Sequence, residues 1–566
     1  MENMENAQAI TTDAALLRPG GVSAVSVGSL ASAIGGQLLQ LADSTDPGGV
    51  EVTGVSLDSR AIRPGDLYAA LPGARFHGAS FAAAALDAGA AAVLTDSTGA
   101  DLLRASETPV TVPVVVAADA RAAVGSVAAR VYASQPADGS GLSLFAVTGT
   151  NGKTTTTYFV NSILRALGET TGLIGTIEIL AGDQRIPSKL TTPEAPTVHS
   201  LLSVMRESGM TAASMEVSSH AIEFHRVDGI RYGVAGFTNL TQDHLDLHGT
   251  MQAYFDVKAQ LFTPERTERA VVVVADDDDA WGIAMARHAR AQLGADNVDV
   301  FAMRGGVVGD RESGPERRGA DWTLHSLTRR GIGHAFELVH RDGRSLRVST
   351  GLPGVFNVAN AALATLMVLS SGVALEDLQR ALDQHDPLTT DVPGRMQLIG
   401  TQPTAVVDFA HNPDALARAL AAVDPPEGDG RVILVFGATG ERDKTKRPLM
   451  GEIAAREADV VIVSDDDPHG EDPSTIREEV MAGAQALIEA GGARATEIHQ
   501  IAPRSVAIHS AVRMAGRNDS VIVAGRGHET VQEIAGVDHP LDDRAELRAA
   551  LDEMRHSTQE GWGETK

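Results

Sequence analysis

The run Thr148-Gly149-Thr150-Asn151-Gly152-Lys153-Thr154-Thr155 sets two glycines, a lysine and a row of hydroxyls side by side. That combination handles a polyphosphate. A glycine turn lets backbone N–H groups converge on one anion, and a helix starting there adds the positive end of its dipole. Lys153 supplies a point charge for a terminal phosphate, and Thr154 a hydroxyl ligand for Mg²⁺. Gly149, Thr150, Asn151, Gly152, Lys153, Thr154 and Thr155 are therefore candidate nucleoside-triphosphate ligands. The pattern departs from the general phosphate loop at Val147, where a glycine is usual.

Other reactive residues follow strand-like runs. Glu216 ends one such run, where a parallel sheet opens its ligand crevice, and is a candidate Mg²⁺ ligand beside Thr154. Asp243, His244, Asp246 and His248 crowd together after another, a density that suits metal or phosphate chemistry, although each histidine alone would be an ordinary surface or core residue. Asp408 and His411, with Arg395 upstream, stand where a ribose, a base or a γ-phosphate would be gripped. Arg442, Lys444, Lys446 and Arg447 form a basic knot at a helix start, where the dipole disfavours cations, so an anionic ligand is expected there. Lys258, on an amphipathic helix, reads by itself as a solvated lysine.

These residues need a scaffold of parallel strands and crossover helices. Leu142 to Ala146 reads as a buried strand entering the phosphate loop, and Thr154 to Leu167 as the helix leaving it, stopped by Gly168. Strands are expected at 213–217, 234–239 and 270–275, an exposed loop at 304–319, and a helix at 357–370. A third region alternates strands (405–409, 432–436, 460–464, 521–524) with helices (414–423, 447–456, 474–490), a Rossmann-like pattern without a G-x-G-x-x-G turn. Before the phosphate loop, Val50 to Val55, Leu67 to Leu71 and 91–94 read as strands of a small α/β domain, with an Ala-rich helix at 82–90. The expected fold class is α/β in three domains, at 21–138, 139–391 and 392–556, with tails at 1–20 and 557–566.

Bulk properties narrow the partners. The 566 residues carry 47 Lys plus Arg against 74 Asp plus Glu, a net charge of −27. Such a surface repels nucleic acid and anionic membranes. There is no cysteine, which excludes disulfides and thiolate chemistry. No apolar run reaches the roughly 18 residues of a membrane span, and the first residues lack the basic-then-apolar pattern of a signal peptide. A cytoplasmic protein acting as a monomer is expected.

As a set, the motifs resemble the Mur ligase family, ATP-dependent amide-forming enzymes of peptidoglycan synthesis. The phosphate loop matches the family's, as do Glu216-Val217-Ser218-Ser219-His220, Asn357 with Asn360, Gly394-Arg395, and Asp408 with Ala410-His411-Asn412-Pro413. Within the family the likeness is to the MurE type, which forms the tripeptide precursor. Its marks are Leu57-Asp58-Ser59-Arg60, Thr191-Thr192-Pro193, Lys258-Ala259-Gln260-Leu261-Phe262, Arg442-Asp443-Lys444 and Gly525-Arg526-Gly527-His528-Glu529. The resemblance implies a UDP-binding first domain, an ATP-binding middle domain and a ligase third domain. It implies that Leu57, Ser59, Ala74, Arg75 and Phe76 bind the UDP end of UDP-N-acetylmuramoyl-L-alanyl-D-glutamate, and that Thr191, Thr192, Ser218 and Arg226 hold its muramoyl dipeptide. Phe224 stands there too, where many relatives carry a polar residue. Lys258 would be N-carboxylated, its carbamate ligating a second Mg²⁺, with Glu216 and His244 as further metal ligands beside Thr154. Asn360, Arg395, Asp408 and His411 would face ATP, and Lys153, Lys258, His244 and Glu216 would carry catalysis through an acyl phosphate.

The incoming amino acid would meet Arg442, Asp466, Asp467, Pro468, His469, Gly525 and Glu529. In relatives that use meso-diaminopimelate the matching segment ends Asp-Asn-Pro-Arg, and the arginine grips the distal carboxylate. This chain has Asp466-Asp467-Pro468-His469, and acids at 465, 466, 467, 471 and 472. Histidine lacks the bidentate fork, and the acids favour a distal ammonium. L-lysine is therefore the expected third residue, with meso-diaminopimelate or L-ornithine as alternatives. A MurF-type or folylpolyglutamate-type ligase fits less well, the latter because 1–136 reads as folded. A nucleotide-binding protein without catalysis would need no second metal site.

Overall fold

The computed structural model describes residues 17–39, 46–136, 140–181, 184–276, 278–303, 320–425 and 430–560, with side chains to 556. The loop expected at 304–319 lies outside them.

Three sheets organise the chain. The first orders its strands Gln37–Leu39, Val114–Val116, Ala92–Thr95, Asp66–Ala69, Gly54–Ser56, parallel except for the first pair. The run Val50 to Val55, expected as one strand, is two. Glu51–Val52 pairs with Val25–Ser26, and the Thr53 amide turns away to Gly65 O at 3.0 Å. The central sheet has eleven strands. Its parallel middle runs Thr171–Ile174, Ala212–Glu216, Ser143–Thr148, Tyr232–Phe237, Thr267–Val274, Val298–Ala302. One end adds the hairpin Glu178–Ala181 and Gln184–Pro187, the other the meander Trp322–Arg330, Gly333–His340, Ser345–Thr350. The expected parallel sheet is present, and the strands of this meander, whose alternation is broken by a bulge between His325 and Thr328, were not among those expected. The third sheet orders Gln397–Thr401, Thr404–Asp408, Ser520–Ala524, Val432–Phe436, Val460–Val463, Glu497–Gln500, antiparallel only at its first pair.

Period-two alternation buries both faces of the parallel strands, as helices on both sides require. In Ser143–Thr148, Phe145 and Val147 join the core under helices Lys153–Ala166 and Val355–Ser370, while Leu144 and Ala146 join the core with Val198, Leu201 and Met205. In the third sheet Val406, Leu434 and Ile522 pack towards helices Pro413–Val423 and Lys446–Glu457, and Val407, Ile433 and Val523 towards Arg504–Met514 and Asp543–Glu560. The last helix was not expected and runs to Glu560, into the stretch read as a tail.

The other tail also needs correcting where it is described. Arg18 pairs with Asp66 at 3.0 Å and reaches Tyr132, Ser200 Oγ donates to Leu17 O at 2.6 Å, and the Gly20 and Gly21 amides donate to the Glu207 carboxylate. These bonds pin residues 17–21 between the first sheet and helix Ala195–Glu207.

Candidate active site

The phosphate loop spans the four residues between strand Ser143–Thr148 and helix Lys153–Ala166. Gly149 and Gly152 have φ of +143° and +89°, and a Cβ on either would strike Thr238 Oγ1 or Asn360 Oδ1. Glycine is therefore required twice over, by conformation and by close approach. The helix ends in a Schellman pair, Glu169 N–H to Leu164 O and Gly168 N–H to Arg165 O, both 3.0 Å, with Gly168 left-handed as expected.

Beneath the loop, Glu216 is 1% exposed and fully engaged. Thr154 Oγ1 donates to it at 2.9 Å, and Thr176 donates through its amide at 2.7 Å and its hydroxyl at 3.0 Å. Thr176 had no local signal. It follows strand Thr171–Ile174, and only the pairing of that strand with Ala212–Glu216 brings it here. The Lys153 ammonium bonds the Gly149 and Thr150 carbonyls at 3.1 and 2.9 Å. Burial holds its pKa below the usual lysine value, so an anionic ligand would be strongly favoured beside it.

Lys258 is not the solvated lysine its sequence suggests. It is 1% exposed, its Nζ donates to Gly149 O at 2.9 Å, and it lies 4.7 Å over the Tyr254 ring. Burial first, and then Lys153, holds its pKa well below the usual value, so the neutral amine is accessible. His244 stands 4.8 Å from the His220 ring with φ of +53°, and burial lowers its pKa to about 4, leaving a neutral imidazole. The hydroxyl of Thr154, the carboxylate of Glu216 and the imidazole of His244 are hard or borderline donors that fit Mg²⁺. Lys258 fits it only as an oxygen ligand, since its ammonium has no lone pair and Mg²⁺ takes oxygen rather than amine donors.

The third sheet brings its strand ends to this loop. Asn151 Nδ2 donates to Asp414 Oδ2 at 3.1 Å, and Asn412 Nδ2 to Asn151 Oδ1 at 3.3 Å. A cavity of about 1490 Å³ between the two sheets is lined by Thr150 to Thr155, Glu216, His244, Asn360, Arg395, Asp408 and His411, among others. Asp408 spends its carboxylate on the amides of Met396 and Ala410, at 2.7 and 2.9 Å, so it shapes the turn that presents Arg395. The Arg395 guanidinium lies 4.1 Å over the Phe409 ring.

Thr191, Thr192, Ser218 and Arg226 meet at the carboxyl end of strand Ala212–Glu216. Thr192 Oγ1 donates to Glu216 O at 2.8 Å, Ser218 caps helix Ser219–Glu223, and Arg226 pairs with Glu194 at 2.9 Å while covering Phe224 at 5.8 Å. Leu57 and Ser59 leave strand Gly54–Ser56, and the neighbouring parallel strand Asp66–Ala69 leads to the exposed loop of Ala74, Arg75 and Phe76, so both segments share one edge.

At the matching edge of the third sheet, one carboxylate oxygen from each of Asp466, Asp467 and Glu529 lies within 4.8 Å of the others. Arg526, fully buried, pairs with Asp467 and lies 3.7 Å from Glu529. Burial and then Asp466 push the Glu529 carboxyl up to about 8. Gly525 has φ of +119°, and a Cβ there would press on Asp466 Oδ2 at 2.5 Å. Pro468 is buried, and His469 Nδ1 meets Glu533 Oε2 at 2.8 Å. Glu533, on strand Val531–Ile534, was not foreseen.

The basic knot is mostly a structural device, contrary to expectation. Lys444 pairs with Glu471, buried Arg447 with Glu471 and Glu479, and Lys446 donates to His411 O, all at 2.8–2.9 Å. The acids that answer these cations lie more than twenty residues further on. Arg442 alone of the four is exposed with no ion pair among the described residues.

This site and fold place the chain in the Mur ligase family. Models of the family's middle domain, its glutamate ligase domain and its catalytic domain match residues 147–368, 394–527 and 51–132. The UDP-N-acetylmuramyl-tripeptide synthetase of Leifsonia xyli subsp. xyli is 42% identical over 510 residues, spanning 90% of this chain and 93% of its own. The UDP-N-acetylmuramoyl-L-alanyl-D-glutamate–2,6-diaminopimelate ligase of Corynebacterium efficiens is 41% identical over 551 residues, 95% of this chain and 96% of its own. A solved structure of a ligase of that same name superposes with a TM-score of 0.62 at 31% identity, covering 94% of this chain and all of that one. As in the rest of the family, ATP and Mg²⁺ serve the reaction. No helix among the described residues is long and apolar enough to cross a membrane.

Proposed function

We propose that this chain adds the third amino acid to UDP-N-acetylmuramoyl-L-alanyl-D-glutamate. The observation that carries this reading is the joint between the two larger sheets, where the phosphate loop and the Glu216 network face Arg395, Asp408 and His411 across one cavity, with Lys258 bonded to the loop at Gly149 O. In this reading the D-glutamate γ-carboxylate attacks the γ-phosphate of ATP, the bond to the β-phosphate oxygen breaks, and an acyl phosphate and ADP result. The amine of the incoming residue then attacks that carbonyl, and phosphate leaves. Lys153 and Arg395 carry the phosphate charge, and Asn151 with Asp414 holds the two domains together so that water is kept from the acyl phosphate. Thr154, Glu216, His244 and a Lys258 carbamate would hold Mg²⁺, which would supply further charge neutralisation. The test is phosphate release from ATP. It should require both the UDP-dipeptide and a diamino acid; release independent of the UDP-dipeptide overturns the reading.

The names of the relatives favour 2,6-diaminopimelate over the L-lysine expected from residues 465–472; the Leifsonia relative's name specifies no amino acid. A specific observation still favours a second reading, L-lysine. The edge that would take the distal group holds Asp466, Asp467, Glu529 and Glu533, while its Arg526 is already paired.

Glu529 gives this acidic edge a pH signature. Its carboxyl, titrating near 8, is mostly protonated below that pH, and only the ionised form attracts an ammonium. The KM for a diamino acid should therefore fall as pH rises, by up to about tenfold per unit below 8, and level off above it. Glu529→Gln should raise KM and flatten this dependence. A wild-type slope unchanged in Glu529→Gln would refute the assignment.

Arg226 and Ser59 are assigned to the UDP-dipeptide and not to ATP. Losing a charged hydrogen bond costs about 1.5–3 kcal/mol, so Arg226→Ala should raise the KM for the UDP-dipeptide roughly ten- to a hundredfold, with Ser59→Ala at the lower end. Equal changes in both substrates' KM would count against both assignments.

A further inference from the structure

Tyr254 sits one helical turn before Lys258 on helix Met251–Ala259 and is 1% exposed. Several contacts fix its ring, among them an edge-on approach of His244 at 6.2 Å. The Lys258 ammonium lies 4.7 Å from the centroid, and the His248 imidazole stacks at 4.9 Å with 23° between the planes. The Tyr254 hydroxyl lies 3.3 Å from Thr150 Oγ1 in the phosphate loop. Both neighbours are themselves held: His248 Nε2 is 3.1 Å from Ser219 Oγ, and Thr150 Oγ1 accepts the Thr241 amide at 3.0 Å. The ring is thus a fixed wall between two loops of the site.

We infer that Tyr254 is a positioning residue for Lys258: its ring holds Nζ against Gly149 O and so restricts the direction in which the group the lysine is to carry can point. A lysine stem has four rotatable bonds and much rotamer freedom to lose. Gly149 O, 2.9 Å away, fixes one direction of Nζ, and the ring blocks another. The inference rests on the proposed carbamate at Lys258. In that step the Lys258 ammonium first gives up a proton, the freed Nζ lone pair bonds to the carbon of CO₂, a C–O π pair moves onto oxygen, and a second proton leaves Nζ. Such a product is useful only if its oxygens point to one place. A wall that restricts Nζ supplies that direction, and an aromatic face tolerates both the ammonium before the step and the carbamate N–H after it.

The experiment compares Tyr254→Leu and Tyr254→Phe with wild type. It reads the carbamate resonance of protein equilibrated with ¹³C-bicarbonate, kcat at ambient and raised bicarbonate, and the melting temperature. Tyr254→Phe keeps the ring and should retain the resonance and kcat within about threefold. Tyr254→Leu should lose most of the resonance and roughly a hundredfold in kcat, the scale of an ångström's misplacement. Raised bicarbonate should restore part of both. Should Tyr254→Leu fail to fold, Tyr254→Met serves with the same expectations. Wild-type resonance and kcat in the folded aliphatic variant overturn the inference, as does equal damage in Tyr254→Phe. A wild-type protein without any carbamate resonance overturns the carbamate reading itself and this inference with it.

Discussion

Lys258→Ala is expected to lower kcat by several orders of magnitude while leaving the melting temperature near that of wild type. The side chain is buried against the phosphate loop, where a second ammonium beside Lys153 would oppose the binding of divalent cations. Conversion to a carbamate reverses that sign, replacing a buried cation with an oxygen ligand. The low proton affinity of this lysine aids the conversion, because only the neutral amine attacks CO₂. Removing the side chain therefore removes a charge of the required sign at the place where phosphoryl transfer is almost wholly electrostatic. Stability is expected to hold because an alanine gives up one hydrogen bond and a cation–π contact but also relieves the burial of a charge. Short carboxylates such as acetate should restore part of the activity by entering the vacated space. Near-normal turnover by Lys258→Ala in a coupled phosphate assay would remove Lys258 from catalysis.

How this site was legible depends on where its chemistry lies along the chain. The phosphate loop could be read directly, because converging amides, a lysine and a hydroxyl must be contiguous to serve one phosphate, and the strand and helix on either side had to follow. Glu216 was legible from the rule that strand ends face the crevice. Lys258 was not: its burial comes from helix Met251–Ala259 folding back on Gly149, more than a hundred residues away. Thr176 and Glu533 arrive by sheet pairing and by a hairpin, and neither leaves a mark on its neighbours in sequence. The basic knot was misread for the same reason in reverse. Helix-dipole reasoning sees the local excess of cations, whereas the compensating Glu471 and Glu479 come from beyond the next strand. Local physics thus singled out the candidate phosphate ligands and missed the residues that the fold brings against them from elsewhere in the chain.

Residue 469 is expected to decide how the distal end of the incoming amino acid is read. His469 is held with φ of +50° at the bottom of the acidic edge, its ring turned to Glu533. An arginine at this place would bring a permanent charge and a planar fork, able to pair with Glu533 or with a distal carboxylate. His469→Arg should therefore raise kcat/KM for meso-diaminopimelate relative to L-lysine, by roughly ten- to a hundredfold if the new pair is made and desolvated. L-ornithine differs from L-lysine by one methylene, worth only about 1–3 kcal/mol, so it should compete under either reading. The measurement is kcat/KM for the three amino acids on wild type and on His469→Arg. An unchanged ratio in the variant would remove residue 469 from the choice. The wild-type preference then separates the two readings of substrate. A preference for L-lysine would mean that four carboxylates around one occupied arginine act as an ammonium site. A preference for diaminopimelate would mean that its zwitterionic end is bound without an arginine at 469. With Arg526 buried and paired to Asp467, exposed Arg442 would be the next candidate to reach the carboxylate. Arg442→Ala should then cost diaminopimelate more than L-lysine, and equal losses would exclude it.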